Sequence, residues 1–149
     1  MAAKKKVSLK PRPALSSAAH HRALRKQHEA EAAQDYCEAI AELLDTGVEA
    51  RVGRIAQRFG LSHVTVSRVV RRLAGEGFVD AQPHKPLGLT AKGNALAREA
   101  RKRHETVLAF LRALGIDEST ARIDAEGIEH HVSPATPLLI CVNLLIKIN

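Results

Sequence analysis

The stretch Ile55-Ala-Gln-Arg-Phe-Gly-Leu-Ser-His-Val-Thr-Val-Ser-Arg68 decides the fold of this chain. Its first half predicts a short helix over residues 52–59 that presents Ile55 and Phe59 to a core and is ended by a glycine. Ser62 is a favourable N-cap for a second helix, predicted over residues 63–75. Two short helices joined by a turn that contains glycine are typical of a helix-turn-helix.

Further helices and a hairpin are predicted on both sides of this pair. Residues 35–45 have the apolar stripe of a helix, and the Ala-, Glu- and Gln-rich residues 21–34 extend it toward the N-terminus. Turn residues between short apolar pieces in residues 78–90 predict a β-hairpin. Helices over residues 90–114 and 117–132 follow. This order of elements predicts a winged helix-turn-helix within a mostly α-helical fold that has one small β-hairpin wing.

Charge is distributed unevenly along the chain. Residues 51–103 contain twelve Lys and Arg against three acids, and residues 1–34 contain eight against two. Residues 35–50 contain five acids and no Lys or Arg, and residues 104–131 contain six acids and two arginines. A basic block between acidic blocks indicates a surface for phosphates beside a surface for cations. Aromatic residues make up only 3% of the chain, which argues against recognition of single strands by base stacking.

The outward face of the second helix and the hairpin are predicted to bind double-stranded DNA. Small polar side chains near the start of such a helix suit base edges, and arginines suit guanine or phosphate. For Arg68 and Arg72 these two roles are equally open. The predicted contact residues are Ser62, His63, Thr65, Ser67, Arg68, Arg71, Arg72 and Lys85.

Two groups of potential metal ligands lie on either side of the helix-turn-helix in the sequence. Glu126, Glu129 and His130 are spaced i, i+3 and i+4, so on a helix their side chains share one face. Asp35 and Glu38 repeat the i, i+3 spacing on the first helix. Carboxylate oxygens with a minority of imidazole nitrogens and no thiolate suit Mn²⁺, Fe²⁺ or Co²⁺. An acid pair of this spacing is by itself most often a solvated face, so each group alone is weak evidence for a metal site.

From about residue 35 to residue 133 the sequence resembles the diphtheria-toxin-repressor-like family of metal-dependent repressors, and within it the manganese-responsive members. The resemblance rests on the motifs Asp35-x-x-Glu38, Gly60-Leu-Ser-His-Val-Thr-Val-Ser, Leu87-Gly-Leu-Thr-Ala-Lys-Gly93, and Arg103-His104 followed by Asp124-Ala-Glu-Gly-Ile-Glu-His-His131. The resemblance implies a homodimer that binds two Mn²⁺ ions per subunit and represses manganese-uptake genes from a palindromic operator. The ligands that it implies are Asp35, Glu38, His104, Glu126, Glu129 and His130.

The metal preference that the resemblance implies depends on two of these ligands. Iron-responsive relatives have sulfur-bearing residues at two of the ligand places, where this chain has Asp35 and Glu126. Oxygen ligands at both places favour Mn²⁺ over Fe²⁺. Cys37 and His131 match no ligand of the family.

The composition and the resemblance together divide the chain. Residues 1–20 are expected to be a disordered basic tail, residues 21–95 a winged helix-turn-helix DNA-binding domain, and residues 96–149 a helical metal-binding and dimerisation domain. Residues 132–149 depart from the family pattern, because two prolines and an apolar run replace the expected amphipathic helix. No segment is apolar enough for a membrane span and the two cysteines form no disulfide framework, so a cytoplasmic location is expected.

Two other functions compete with a metal-dependent regulator. A dinuclear metallohydrolase could activate water with two metals. However, all six candidate groups would serve as ligands and leave no general base, so an enzyme is not expected. A metal-independent winged-helix DNA-binding protein is the other alternative. Glu126→Ala or His104→Ala distinguishes them, because only a metal-gated repressor would lose metal-dependent DNA binding.

Overall fold

The computed structural model of this chain describes residues 17–131. It contains, in chain order, α1 (Ser17–Asp45), α2 (Val52–Phe59), α3 (His63–Gly75), β1 (Val79–Asp80), β2 (Gly88–Leu89), α4 (Ala91–Ala113) and α5 (Glu118–Glu129). The predicted mostly helical fold with a small hairpin wing is confirmed. Between residues 17 and 131, no helix combines the length and the apolar character that crossing a membrane requires.

The helix-turn-helix forms where the local signals predict it. Gly60 ends α2 with a left-handed backbone (φ 64°), which glycine adopts without the steric cost of a side chain. Ser62 caps α3, because its Oγ accepts a hydrogen bond from the Thr65 backbone N–H at 3.1 Å. The bounds of both helices agree with the sequence prediction.

The wing is an antiparallel hairpin held from both sides. Val79 lies opposite Leu89 in β1 and β2. The Leu87 backbone N–H donates to the Ala50 carbonyl at 2.7 Å, which ties the wing to the loop between α1 and α2. On the other side, the Thr90 hydroxyl donates to the Gly77 carbonyl at 2.7 Å and caps α4. The wing is therefore tied by hydrogen bonds to the loop between α1 and α2 and to the start of α4.

Two hydrophobic cores lie within residues 17–131. In the first, α1, α2, α3 and the hairpin bury Ile40, Ile55 and Leu73 completely. The second core joins α4 to α5 through Val107, Leu108, Leu111, Ala121 and Ala125. α4 contacts both α1 and α5, so it connects the two cores and brings the acidic residues of α1 and α5 to the same region.

The structure differs from the predicted element ends at two places. α1 begins at Ser17, so residues 17–20 of the predicted disordered tail are helical. The reason is that alanine-rich sequence without Pro or Gly continues back to Ser17. α5 ends at Glu129 rather than near residue 132, and the His131 N–H donates to the Ile128 carbonyl in a tightened last turn.

The remaining domain predictions are only partly covered by the structure. Residues 1–16 and 132–149, including the atypical C-terminal tail, lie outside the described residues. α4 runs without interruption through the predicted boundary between residues 95 and 96. The three-part division therefore stays a prediction.

Candidate metal centre

The six predicted ligands meet where α1, α4 and α5 pack together. Asp35, Glu38, His104, Glu126 and Glu129 line one cavity of about 390 Å³. His130, which follows the last residue of α5, places its Nε2 at 3.3 Å from the Asp35 Oδ1. The structure therefore brings together residues that are up to 95 positions apart in the sequence.

Glu129 is at the centre of this group. Its side chain is only 4% exposed, and its Oε2 lies 2.7 Å from the Nδ1 of His104. Its other oxygen, Oε1, lies 3.5 Å from the Nε2 of His130. The Oε2 of Glu126 lies 3.5 Å from the same His104 nitrogen, and ligand atoms of His104, Glu126 and Glu129 all lie within 4.8 Å of one another. A buried carboxylate between two imidazoles has the surroundings of a metal ligand.

Burial, and then the crowding of the carboxylates, disfavours their ionised forms. Burial, and then the charges of Glu129, Asp35, Glu126 and Glu42, raise the pKa of Glu38 to about 7. Burial also raises the pKa of Asp35 and of Glu129, although nearby His side chains oppose this. A divalent cation in the cavity would relieve the repulsion, and the oxygen and nitrogen donors fit Mn²⁺.

This crowding predicts how the stability of the metal-free protein depends on pH. The folded-state pKa of Glu38, about 7, lies above its ordinary value of 4.5, so the native state keeps this proton longer than the unfolded state does. The Glu38 contribution to the free energy of unfolding therefore falls as pH rises from about 4.5 to 7 and is constant above that range. The glutamine of Glu38→Gln cannot ionise, so this variant should lack the part of the decline in the free energy of unfolding that Glu38 causes. Urea unfolding in chelator between pH 4.5 and 8 measures the free energy of unfolding of wild type and of Glu38→Gln. The same pH dependence in both proteins would contradict the prediction.

Sequence reasoning missed three residues at this site. Glu42 and Arg58 also line the cavity, and the Arg58 guanidinium donates to the Glu42 carboxylate. Gln34 Oε1 lies 3.3 Å from the Nδ1 of His130. Glu42 could have been found, because it stands four positions after Glu38 on the same helix. Arg58 and Gln34 become neighbours of the site only in the folded chain, so no spacing indicates them.

A second surface lies between α3 and the hairpin. Ser67, Arg71 and Lys85 line a groove of about 410 Å³ there, together with His84 at the hairpin tip. Arg68 is exposed on α3. Four of the predicted DNA-contact residues therefore stand on or beside one open surface.

The four other predicted contact residues make contacts within the protein. Arg72 donates to the Glu76 carboxylate at 2.9 Å and to the Glu29 carbonyl of α1 at 3.2 Å. His63 lies against α2, because a Cβ on Gly53 would be 3.1 Å from its ring. Ser62 and Thr65 form the α3 cap, with their hydroxyls 2.9 Å apart.

The exposed face of α3 also includes a residue that the sequence analysis did not select. Val64 is 80% exposed beside the cap. A direct role in DNA contact stays a prediction for each of the selected residues.

Two family models match the chain. The model described as "Iron dependent repressor, N-terminal DNA binding domain" matches residues 29–87. The model described as "Iron dependent repressor, metal binding and dimerisation domain" matches residues 90–143. Both describe repressors rather than enzymes, so the expectation that this chain is not an enzyme is confirmed.

Curated relatives extend the likeness over most of the chain. The transcriptional regulator MntR of Escherichia coli O157:H7 is 44% identical over 115 residues, which are 77% of this chain and 74% of that protein. MntR of Salmonella typhi is also 44% identical over 115 residues, covering 77% of this chain and 73% of its own length. The manganese-responsive resemblance inferred from the motifs is confirmed by these relatives.

Solved structures share the fold. The manganese regulator SloR superposes with a TM-score of 0.66 at 27% identity, over 75% of this chain and 53% of that one. A manganese-dependent transcriptional repressor in complex with manganese gives a TM-score of 0.68 at 32% identity, over 75% of this chain and 52% of that one. The chain thus spans about half the length of these two structures. On the strength of the identity to MntR and the two family models, this chain belongs to the iron-dependent repressor family of transcriptional regulators.

Proposed function

We propose that this chain is a Mn²⁺-dependent repressor of manganese-uptake genes, which works in the cytoplasm as a homodimer on a palindromic operator. The observation that carries the proposal is the cavity whose walls come from α1 on one side and from α4 and α5 on the other. α1 is packed into the core of the winged helix, whereas α5 belongs to the second core. Manganese is supported by the oxygen-rich donor set and by the names of the relatives.

We propose two ions per subunit, held by the six predicted ligands. Glu129 supports this number, because it presents one carboxylate oxygen to each of two histidines. One oxygen faces His104 beside Glu126, and the other faces His130 beside Asp35. Glu129 would therefore help to hold both ions, and Glu38 would complete the group of ligands from α1.

The arrangement accounts for control of DNA binding by metal. The carboxylates of α1 and α5 repel one another across the cavity, and this repulsion opposes the approach of α1 to α5. Asp35 and Glu38 of α1 would hold Mn²⁺ together with the ligands of α4 and α5, and its charge would offset the repulsion and fix the winged helix relative to its dimer partner. Two recognition helices then match half-sites about one turn of DNA apart, or a multiple of it. Metal and DNA must strengthen each other's binding by the same factor.

The first experiment measures DNA binding with and without metal. Fluorescence anisotropy with DNA from the region upstream of the chain's own gene is recorded in chelator and then in excess Mn²⁺, at one salt concentration. Tighter binding in Mn²⁺, by roughly 5- to 150-fold, is expected from the usual size of such couplings. The same affinity in chelator and in Mn²⁺ would overturn the proposal and leave a metal-independent DNA-binding protein.

Arg68 and Arg72 are predicted to behave differently in that assay. Arg68→Ala should weaken Mn²⁺-dependent operator binding by roughly 5- to 150-fold if the side chain reads a guanine, or reduce the salt slope by about one if it contacts a phosphate. Arg72→Ala is the matched control, because Arg72 already pairs with Glu76 and the Glu29 carbonyl. A titration at several salt concentrations separates these outcomes. Equal losses for both variants would show that the two arginines do not have different roles.

A further inference from the structure

The side chain of Gln34 contacts the ring of His130 from outside the group of carboxylates. Its Oε1 lies 3.3 Å from the Nδ1 of His130. An amide oxygen can only accept a hydrogen bond, so this contact requires the proton of a neutral imidazole ring to be on Nδ1. Gln34 directly precedes Asp35 on α1, and the contact therefore joins α1 to the end of α5 without any metal.

The opposite ring nitrogen faces the carboxylates. The Nε2 of His130 lies 3.3 Å from the Asp35 Oδ1 and 3.5 Å from the Glu129 Oε1. When Nδ1 carries the proton, Nε2 carries the lone pair, which is the form in which imidazole binds a metal. The ring is thus presented with its metal-binding nitrogen toward the two acids.

His130 stands at the end of α5. His130 is the C-cap of α5, and the residue after it is in a turn. Gln34 is the partner on the side away from the acids, and the side chain of His130 is only 13% exposed.

We infer that Gln34 is a positioning residue of the metal centre, which holds His130 in the Nδ1–H form with Nε2 toward Asp35 and Glu129. The inference deepens the proposed function and rests on it. Residues that hydrogen-bond to a metal-binding histidine through the ring nitrogen that does not bind the metal typically increase metal affinity by about 10- to 100-fold. Gln34 is therefore assigned to tuning the Mn²⁺ concentration at which the chain responds.

The test compares two substitutions at this position with one control. Gln34→Leu removes the acceptor, and Gln34→Glu keeps one. Gln27→Leu is the control, because Gln27 is an exposed residue of the same helix. Mn²⁺ affinity is measured by calorimetry on the full chain. Gln34→Leu should bind Mn²⁺ about 10- to 100-fold more weakly, while Gln34→Glu, which keeps the acceptor and adds a negative charge, should bind at least as tightly as wild type and Gln27→Leu should match it.

A second readout detects positioning directly. Long-range ¹H–¹⁵N NMR of the metal-free protein at pH 8.5 reports which nitrogen of His130 carries the proton. Wild type and Gln34→Glu should show mainly the Nδ1–H form, and Gln34→Leu should shift toward Nε2–H. Identical ring signals in wild type and Gln34→Leu, or mainly Nε2–H in wild type, would overturn the inference.

The two proposals fail in different ways. If wild type binds Mn²⁺ and DNA as proposed but Gln34→Leu binds Mn²⁺ equally well, only the role of Gln34 is wrong. If wild type itself shows no Mn²⁺ binding, the proposed function fails. If Gln34→Leu does not fold, wild type and Gln34→Glu still decide the tautomer.

Discussion

Replacement of Glu129 by Gln is expected to abolish metal-gated DNA binding. Glu129 is 3% exposed and stands between His104 and His130, so the amide fits the same space but supplies no negative charge. We expect Mn²⁺ affinity to fall by more than about 100-fold. This loss exceeds the one that follows removal of a residue that only hydrogen-bonds to a metal ligand. Operator affinity in Mn²⁺ should then equal that in chelator, a loss of roughly 5- to 150-fold.

Calorimetric titration with Mn²⁺ and anisotropy with operator DNA measure both effects. Glu105→Gln is the matched control, because Glu105 is an exposed residue of α4 beside His104 and is not among the residues that line the cavity. Circular dichroism establishes that both variants are folded. A Glu129→Gln protein that still binds the operator only in Mn²⁺ would show that the buried carboxylate is not a ligand.

Replacement of Gly93 by Ala is expected to cause the largest loss of stability. A Cβ at this position in the first turn of α4 would lie 2.1 Å from the Phe78 carbonyl oxygen and 3.1 Å from a methyl group of Leu89. That carbonyl accepts a hydrogen bond from the Thr90 N–H at 3.1 Å, so the hairpin cannot move away without losing it. We expect the free energy of unfolding to fall by about 3 kcal/mol or more, the upper part of the range for overpacking.

Urea unfolding in chelator measures this loss. Gly75→Ala is the control, since a Cβ there has no atom within 4 Å, and its effect should stay within about 1 kcal/mol. Equal stabilities of the two variants would show that α4 and the hairpin separate easily. In that case the close approach of α4 to the hairpin would not account for a glycine at this position.

Much of the fold follows from signals that lie within a few residues of each other. Gly60 and Ser62 mark the helix-turn-helix, Thr90 marks the start of α4, and Asp117 caps α5. The ligands of α1 and α5 were also found locally, because the i, i+3 spacing puts Asp35 and Glu38 on one face. His104 differs, since it stands alone on α4 and was identified only through the family resemblance.

What the sequence could not predict are contacts between distant segments. The apolar periodicity of α3 shows which face is buried, but not which neighbour the remaining faces meet. Arg72 was therefore grouped with Arg68, although it contacts the Glu29 carbonyl, 43 residues away. Gln34 and His130 are 96 residues apart, and only the packing of α1 near the end of α5 makes them neighbours.

The interleaving of two kinds of residue on α1 limits how this helix can move. Tyr36 and Ile40 are buried in the first core, while Asp35 and Glu38 face the cavity from the same turns. Rotation of α1 about its own axis would withdraw the carboxylates only by also pulling both apolar side chains into water, at a cost of about 1.5–3 kcal/mol for an isoleucine alone. The carboxylates of α1 are therefore coupled to the first core, because any rotation that withdraws them from the cavity also disrupts the packing of the winged helix.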